Sequence, residues 1–165
     1  MLWLYYGIKS SKISLMAHDF VNFPELTNSQ MDLYYFDSPH KQLFEDFTAR
    51  VIKVHDGDTI TVRIPERDFD FPIRFSNIAS PELSESGGNV AQKWLESKIL
   101  GSEVQIVMDR WKRVEKYGRL LGKVMFHGMY MGEEQIWMGL SKSWEQRNEG
   151  KITKQIPKEA INYGN

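Results

Sequence analysis

The chain has no cysteine. That excludes a disulfide framework and a thiolate zinc site. It leaves the redox environment open, because a cysteine-free protein folds in either one. No apolar run approaches the ~18 residues that a membrane-spanning helix needs, so no membrane is expected as a partner. Neither charge is in excess: 21 Lys and Arg face 22 Asp and Glu, for a formal net charge of −1. A chain that attracts polyanions through its total charge is thereby excluded, whereas a local basic patch is not. The opening, Met1 to Ile8, is apolar. It lacks a basic n-region and a well-formed small-residue cleavage site, which makes it a poor signal peptide and the cytoplasm the expected compartment. Met16 and Met31 are alternative starts.

What is present suffices for one domain with tails. At 165 residues, 41% hydrophobic and 13% aromatic, the chain can bury a core without staples. Charge is unevenly placed: residues 1–47 hold three Lys or Arg against six Asp or Glu, residues 48–150 hold fifteen of each, and residues 151–165 hold three Lys against one Glu. The first 47 residues show no clean period. Leu33-Tyr34-Tyr35-Phe36, Leu43, Phe44 and Phe47 read as an arm packed on the barrel wall, with a docking segment for a protein partner as the alternative.

From Ala49 onward the pattern is that of strands. Arg50–Val54 alternates loosely and Thr59–Ile64 alternates with β-branched residues, predicting a hairpin around Asp56-Gly57. A third strand is predicted over Phe69–Ile78, with Phe69, Phe71, Ile73 and Phe75 on one face. Ser80-Pro81 ends it. Asn89 is placed to cap a helix over Val90–Leu100, with Val90, Trp94, Leu95 and Ile99 inward and Gly101 as its stop. Glu103–Met108 and Arg119–Phe126 read as the fourth and fifth strands, and Glu133–Leu140 as a short C-terminal helix. This order predicts a mainly β (α+β) fold, a five-stranded OB barrel of Greek-key type with one helix between strands 3 and 4. The expected organisation is an arm over 1–47, the barrel domain over 48–144 and a polar tail over 145–165.

Four stretches carry chemistry: Asp56-Gly57-Asp58-Thr59, Arg74, Ser80-Pro81-Glu82 and Glu115-Lys116-Tyr117-Gly118-Arg119. Each alone is a common surface feature, a turn, a snorkelling arginine or a solvated charge run. Together they are the set a phosphodiester hydrolase needs. A carboxylate at a tight turn can hold a hard cation through oxygen, and such a cation polarises a phosphoryl oxygen. A second carboxylate, Glu82, can deprotonate water. Arginines match phosphate geometry and stabilise the charge that builds in the transition state.

The run Val51-Ile52-Lys53-Val54-His55-Asp56-Gly57-Asp58-Thr59 resembles the first signature of the staphylococcal nuclease family. Pro72-Ile73-Arg74-Phe75 through Pro81-Glu82 resembles the second, and Lys116-Tyr117-Gly118-Arg119 the third, in the family's order over about residues 48–144. The resemblance implies an OB barrel and calcium-dependent cleavage of DNA and RNA to 3′-phosphate products. It implies that Asp58 ligates Ca2+ directly, that Ser80 adds its backbone carbonyl and that Asp56 stands in the outer shell. Glu82 is the implied general base, and Arg74 and Arg119 the implied phosphate-binding, transition-state residues. Lys116 and Tyr117 are the implied contacts to a terminal phosphate and to the sugar or base. DNA or RNA is the implied partner, and a monomer the expected state.

Two features depart from the family pattern. Its second calcium carboxylate falls at Ala79, and fewer charged ligands weaken calcium binding. Water can fill the vacancy, and Asn77, two residues back on the same strand face, is a candidate donor. The tail from Ser143 has only scattered apolar residues, with Trp144 a candidate base-stacking surface or a core residue. His55 and His127 lie at turns without a second His or Cys at ligand spacing. An active nuclease is the first expectation. A weakened or inactive barrel that binds nucleic acid, or one that binds a protein through the arm, is the alternative.

Overall fold

The computed structural model describes residues 17–149. Met1–Ile8 and the tail residues 150–165, which include Ile152, Ile156 and Ile161, lie outside the described residues. β1 (Phe47–Asp56) and β2 (Thr59–Arg63) pair as an antiparallel hairpin. Alternation drives it, since Val51, Val54, Ile60 and Val62 all point inward and are buried. Register shifts between Val51 and Lys53 and between Val54 and Asp56 each insert a residue into β1, which bends it around the core. β3 (Phe71–Phe75) pairs antiparallel with β2 and parallel with β6 (Leu120–Phe126). β6 pairs with β5 (Glu103–Val107), and β5 returns to β1, so the five strands close into a barrel, as predicted. Its interior is filled by Phe71, Ile73, Phe75, Val104, Ile106, Leu120 and Val124. Each large apolar side chain buried in this way contributes roughly 1.5–3 kcal/mol.

The predicted third strand breaks in two. Ser76 and Asn77 bend away after β3, and β4 (Ile78–Ala79) pairs with β8 (Lys142–Ser143) in a separate two-stranded sheet. The helix between β4 and β5, α2 (Gly88–Ile99), begins earlier than predicted, with Gly87 rather than Asn89 at its N-cap. Its inward stripe is Gly88, Ala91, Leu95 and Ile99. Val90 is 59% exposed because this phase turns it to solvent, and Trp94 is only partly buried. Gly101 does follow the helix, with a φ of 75° that suits glycine after a helix end. The hairpin turn sits at Gly57-Asp58, one residue later than expected, because Asp56 pairs with Thr59.

After β6 the chain runs through β7 (Met129–Tyr130) into α3 (Met131–Trp137), which starts two residues before the predicted helix and stops sooner. A further helix, α4 (Trp144–Glu149), occupies the start of the predicted polar tail. The arm also holds a helix, α1 (Asn28–Tyr34), opened by a capping box between Thr27 and Gln30. Of the apolar residues expected to pack on the barrel, Leu43 and Phe47 do lie against its core, whereas Leu33, Tyr35 and Phe36 are exposed. The arm's anchor is Glu25, 2% exposed, whose carboxylate pairs with the buried guanidiniums of Arg67 and Arg113. Arg113 lies over the Phe44 ring at 4.2 Å and Arg67 over Phe71 at 4.5 Å. Leu26 is fully buried, and its N–H donates to Gln42 Oε1 at 2.7 Å. Among the described residues no helix is long and apolar enough to cross a membrane.

Candidate active site

The hairpin turn that carries Asp56 and Asp58 is fixed from below. Gly57 packs so closely that a Cβ there would lie 2.1 Å from Ser80 Oγ. Gln135, buried in α3, donates to the Gly57 carbonyl at 2.7 Å. Asp56 Oδ1 accepts the Asp58 N–H at 2.9 Å, which closes the turn. The Asp58 side chain then points inward. Its Oδ2 accepts the Ser80 N–H at 2.7 Å and lies 3.1 Å from Arg74 Nη2. Its Oδ1 accepts from the Thr59 hydroxyl at 3.1 Å.

Arg74, half-buried on β3, also donates Nη1 to the carbonyls of Phe75 (2.6 Å) and Ile78 (3.0 Å). Its position is therefore held by the bend that separates β3 from β4. Arg119 reaches the same turn from the other side, with Nη1 at 3.5 Å from Thr59 Oγ1. Glu115 orients it, because Oε1 accepts both the Arg119 backbone N–H and its Nε at 3.1 Å. Burial alone would raise the Glu115 carboxyl, but the side-chain and backbone bonds from Arg119 outweigh it and hold Glu115 below the usual range. Asp58 goes the other way. Desolvation pushes it up to about 6, against the pull of Arg74 and with the push of Asp56. Burial lowers the Arg74 guanidinium from its ordinary value, with Asp58 opposing.

An open cleft of about 560 Å³ runs past these groups. Its walls bring together Arg74, Glu82, Lys116, Tyr117 and Arg119 of the sequence-derived set, joined by Lys112, Glu115, Trp144 and Arg147. Glu82 is exposed, and its carboxylate takes no hydrogen bond or ion pair from the described residues. Lys116 Nζ lies 4.8 Å from the Tyr117 ring centroid and Arg119 5.9 Å from it. Trp144 is 42% exposed and faces Arg74 at 5.7 Å, so it lines the cleft and does not fill the core. Asp58 and Ser80 are buried beside Arg74, and the cleft wall does not include them.

Three further residues singled out in the sequence have defined surroundings. Asn77 faces Gly132 at the start of α3, and its buried Oδ1 has no hydrogen-bond partner among the described residues. His55 bonds the Thr61 hydroxyl at 2.7 Å, and His127 stacks on Phe126 at 3.9 Å. Arg147, on α4, donates Nη1 to the Ser80 carbonyl at 3.1 Å. No sequence signal marked it, because a single Arg in a polar stretch acquires meaning only when β8 pairs with β4 and carries α4 to Ser80.

Few donors are available here to a hard cation. No group of three acidic or histidine side chains converges among the described residues. The Ser80 carbonyl is already taken by the Arg147 guanidinium, and Asp58 is a carboxylate whose charge the site penalises. A cation there would be held by Asp58 and the Ser80 carbonyl, with Asp56 behind and water completing the shell.

A model of the family described as staphylococcal nuclease homologue matches residues 72–161. The chain is 30% identical over 115 residues to a micrococcal nuclease of Shigella flexneri, an overlap of 66% of this chain and 63% of that protein. It is 30% identical over 129 residues to an uncharacterized endonuclease of Escherichia coli, covering 78% of this chain and 80% of that one. An uncharacterized endonuclease of Haemophilus influenzae is 26% identical over 116 residues, covering 70% of this chain and 63% of its own. The chain thus spans less than two thirds of the Shigella and Haemophilus proteins.

Proposed function

The chain belongs to the staphylococcal nuclease family, and from that premise we propose that it is a calcium-type endonuclease hydrolysing DNA or RNA to 3′-phosphate products. The observation that carries the reading is the convergence of two buttressed arginines and one free carboxylate on a single cleft. Arg74 is braced by Asp58 and two carbonyls, Arg119 by Glu115. Donors fixed before substrate arrives need not reorganise as charge builds on the phosphoryl oxygens. Glu82 takes a proton from water as the water oxygen forms a bond to phosphorus. The bond from phosphorus to the 5′ oxygen breaks, that oxygen is protonated from solvent, and the phosphate stays on the 3′ side. Lys116 and Tyr117 hold the neighbouring phosphate and sugar. A bound calcium would polarise a phosphoryl oxygen.

A second reading is favoured by Ala79 and by Arg147. The first removes a carboxylate from the expected metal site, and the second places a guanidinium on a carbonyl expected to face the metal. Both weaken calcium binding, and a barrel so weakened grips nucleic acid without cutting it. The two readings separate in a calcium titration of single-stranded DNA cleavage. For an active enzyme, wild type cuts and yields 3′-phosphate ends, and Glu82→Gln loses roughly 100-fold or more, the range for a general base. Wild type that cuts at no calcium concentration, with activity appearing in Ala79→Asp, establishes the second reading. Equal cutting by wild type and Glu82→Gln removes Glu82 from its role.

A further inference from the structure

We propose that Trp111 is a base-stacking platform for single-stranded nucleic acid, a contact site beside the cleft that extends recognition past the cleaved bond. The proposal deepens the nuclease reading by naming a new subsite, and it rests on that reading. Trp111 is 91% exposed, and its ring makes no aromatic, cation–π or hydrogen-bond contact with any described residue.

An indole left in water on a mobile loop would be unremarked. This one stands on a turn that is fastened from both sides. Asp109 Oδ1 accepts the Trp111 N–H at 2.9 Å, and the Asp109 carbonyl accepts the Lys112 N–H at 3.2 Å. Asn28, from the N-terminal arm, donates its amide to the carbonyls of both Arg110 (3.2 Å) and Trp111 (3.1 Å). Two residues on, Arg113 is locked to Glu25, Leu26 and Leu43 of the arm. The fold therefore fixes the backbone around an aromatic ring that it leaves unpacked.

The chemistry of the neighbours selects the ligand. Trp111 lies between Arg110 and Lys112, and Lys112 lines the cleft together with Lys116 and Arg119. A strand leaving the cleft thus meets cations for its phosphates and a π-face for an unpaired base, the combination that single-strand sites use. Trp137 is as open, at 86%, but its neighbours Ile136 and Met138 carry no charge. Exposure alone selects no ligand; exposure between cations that continue into the cleft does. A paired base is already stacked in its helix and cannot give its face to Trp111, so the site distinguishes single strands from duplex.

The test is fluorescence anisotropy in EDTA, so that nothing is cut, with labelled oligothymidylate of about 15 nucleotides and a duplex of equal length. Stacking on this residue predicts that Trp111→Ala raises the Kd for the single strand roughly tenfold and changes the duplex less than twofold. Trp111→Phe restores most of the loss, because a smaller ring still stacks. An unchanged single-strand Kd in Trp111→Ala overturns the proposal. So does an equal loss on duplex. A drop in melting temperature or a change of oligomeric state in that variant, with binding intact, also overturns it, because the ring would then be covered by protein. Hydrolysis of a small thymidine nitrophenyl diester by wild type tests the nuclease reading separately. Trp111-dependent binding without ester hydrolysis sinks that reading and keeps the platform; ester hydrolysis with Trp111-independent binding does the reverse.

Discussion

Asp58 is a carboxylate that the fold buries beside a second acid, Asp56, with Arg74 as its charged partner at 3.1 Å. Desolvation wins over that pairing and raises its carboxyl to about 6 from an ordinary 3.8. The consequence for stability has a definite sign. Below about pH 4 the group is neutral in both the folded and the unfolded chain, and its favourable contribution is fully present. Between about 4 and 6 the unfolded chain has lost the proton and the folded chain still holds it, so stability falls as pH rises, by up to roughly 1.4 kcal/mol per unit. Above about 6 the loss is complete. Urea midpoints across this window, in EDTA, should decline in wild type and stay flatter in Asp58→Asn. Parallel slopes in the two proteins would show that the group titrates in the folded state as it does in the unfolded one. A residue kept against such a penalty is the kind that marks a functional site, and a cation beside it would relieve the penalty.

The arm and the basic loop form one structural unit across the barrel. Glu25 shares its carboxylate between Arg67 and Arg113, and all three side chains are at most 2% exposed. Phe23 covers Gly118, whose φ of 83° favours glycine and whose missing Cβ would lie 2.5 Å from the Phe23 ring. The arm thereby braces the turn that presents Lys116, Tyr117 and Arg119. Removing one partner from a buried ion cluster leaves uncompensated charge, so Glu25→Gln should destabilise the protein by about 3–5 kcal/mol in urea unfolding. A loss below about 1 kcal/mol, the range of exposed pairs, would mean that the arm is not anchored there. None of this was legible in the sequence. Arg67 and Arg113 look like members of surface charge runs, and Glu25 like one acid of an acidic arm; only long-range packing joins them. The barrel was legible, because β-branched alternation over Thr59–Ile64 and apolar alternation at Phe71, Ile73 and Phe75 leave few alternatives. The phase of α2 was legible in part: Leu95 and Ile99 face inward as predicted, whereas the buried stripe takes Ala91 and not its neighbour Val90, which lies about 100° around the helix. Motif order picked out Asp58, Arg74, Glu82 and Arg119, and the structure brings the last three to one cleft wall with Asp58 buried beside Arg74. Arg147 was not picked out, because its place on the cleft wall depends on strand pairing, which a linear pattern does not record; the exposure of Trp111 was equally illegible.

At the scale of the whole molecule, the chain has a net charge of −1, yet its cleft is positive. Five Lys or Arg line it against two Glu. Two of the five, Arg74 and Arg119, already face carboxylates, so part of their charge is neutralised before a phosphate arrives. Attraction at a distance is therefore weak, and binding draws on a few short-range phosphate contacts. Counterion release then sets the expected salt dependence. With about three to five phosphates neutralised on a single strand, log K should fall against log salt with a slope between about −2 and −3.5. Anisotropy titrations in EDTA over a range of salt measure it directly. A slope near zero would mean that the cleft does not bind the backbone, and the nucleic-acid reading would lose its electrostatic basis. A slope much steeper than −3.5 would require cations beyond the cleft wall. Arg110 beside Trp111 and Lys151, Lys154 and Lys158 near the C-terminus are the groups that could supply them. Charge reversal at Arg110 would then flatten the slope by about 0.7 for each phosphate it ceases to neutralise, which assigns the extra ion pairs to the loop or, by default, to the tail.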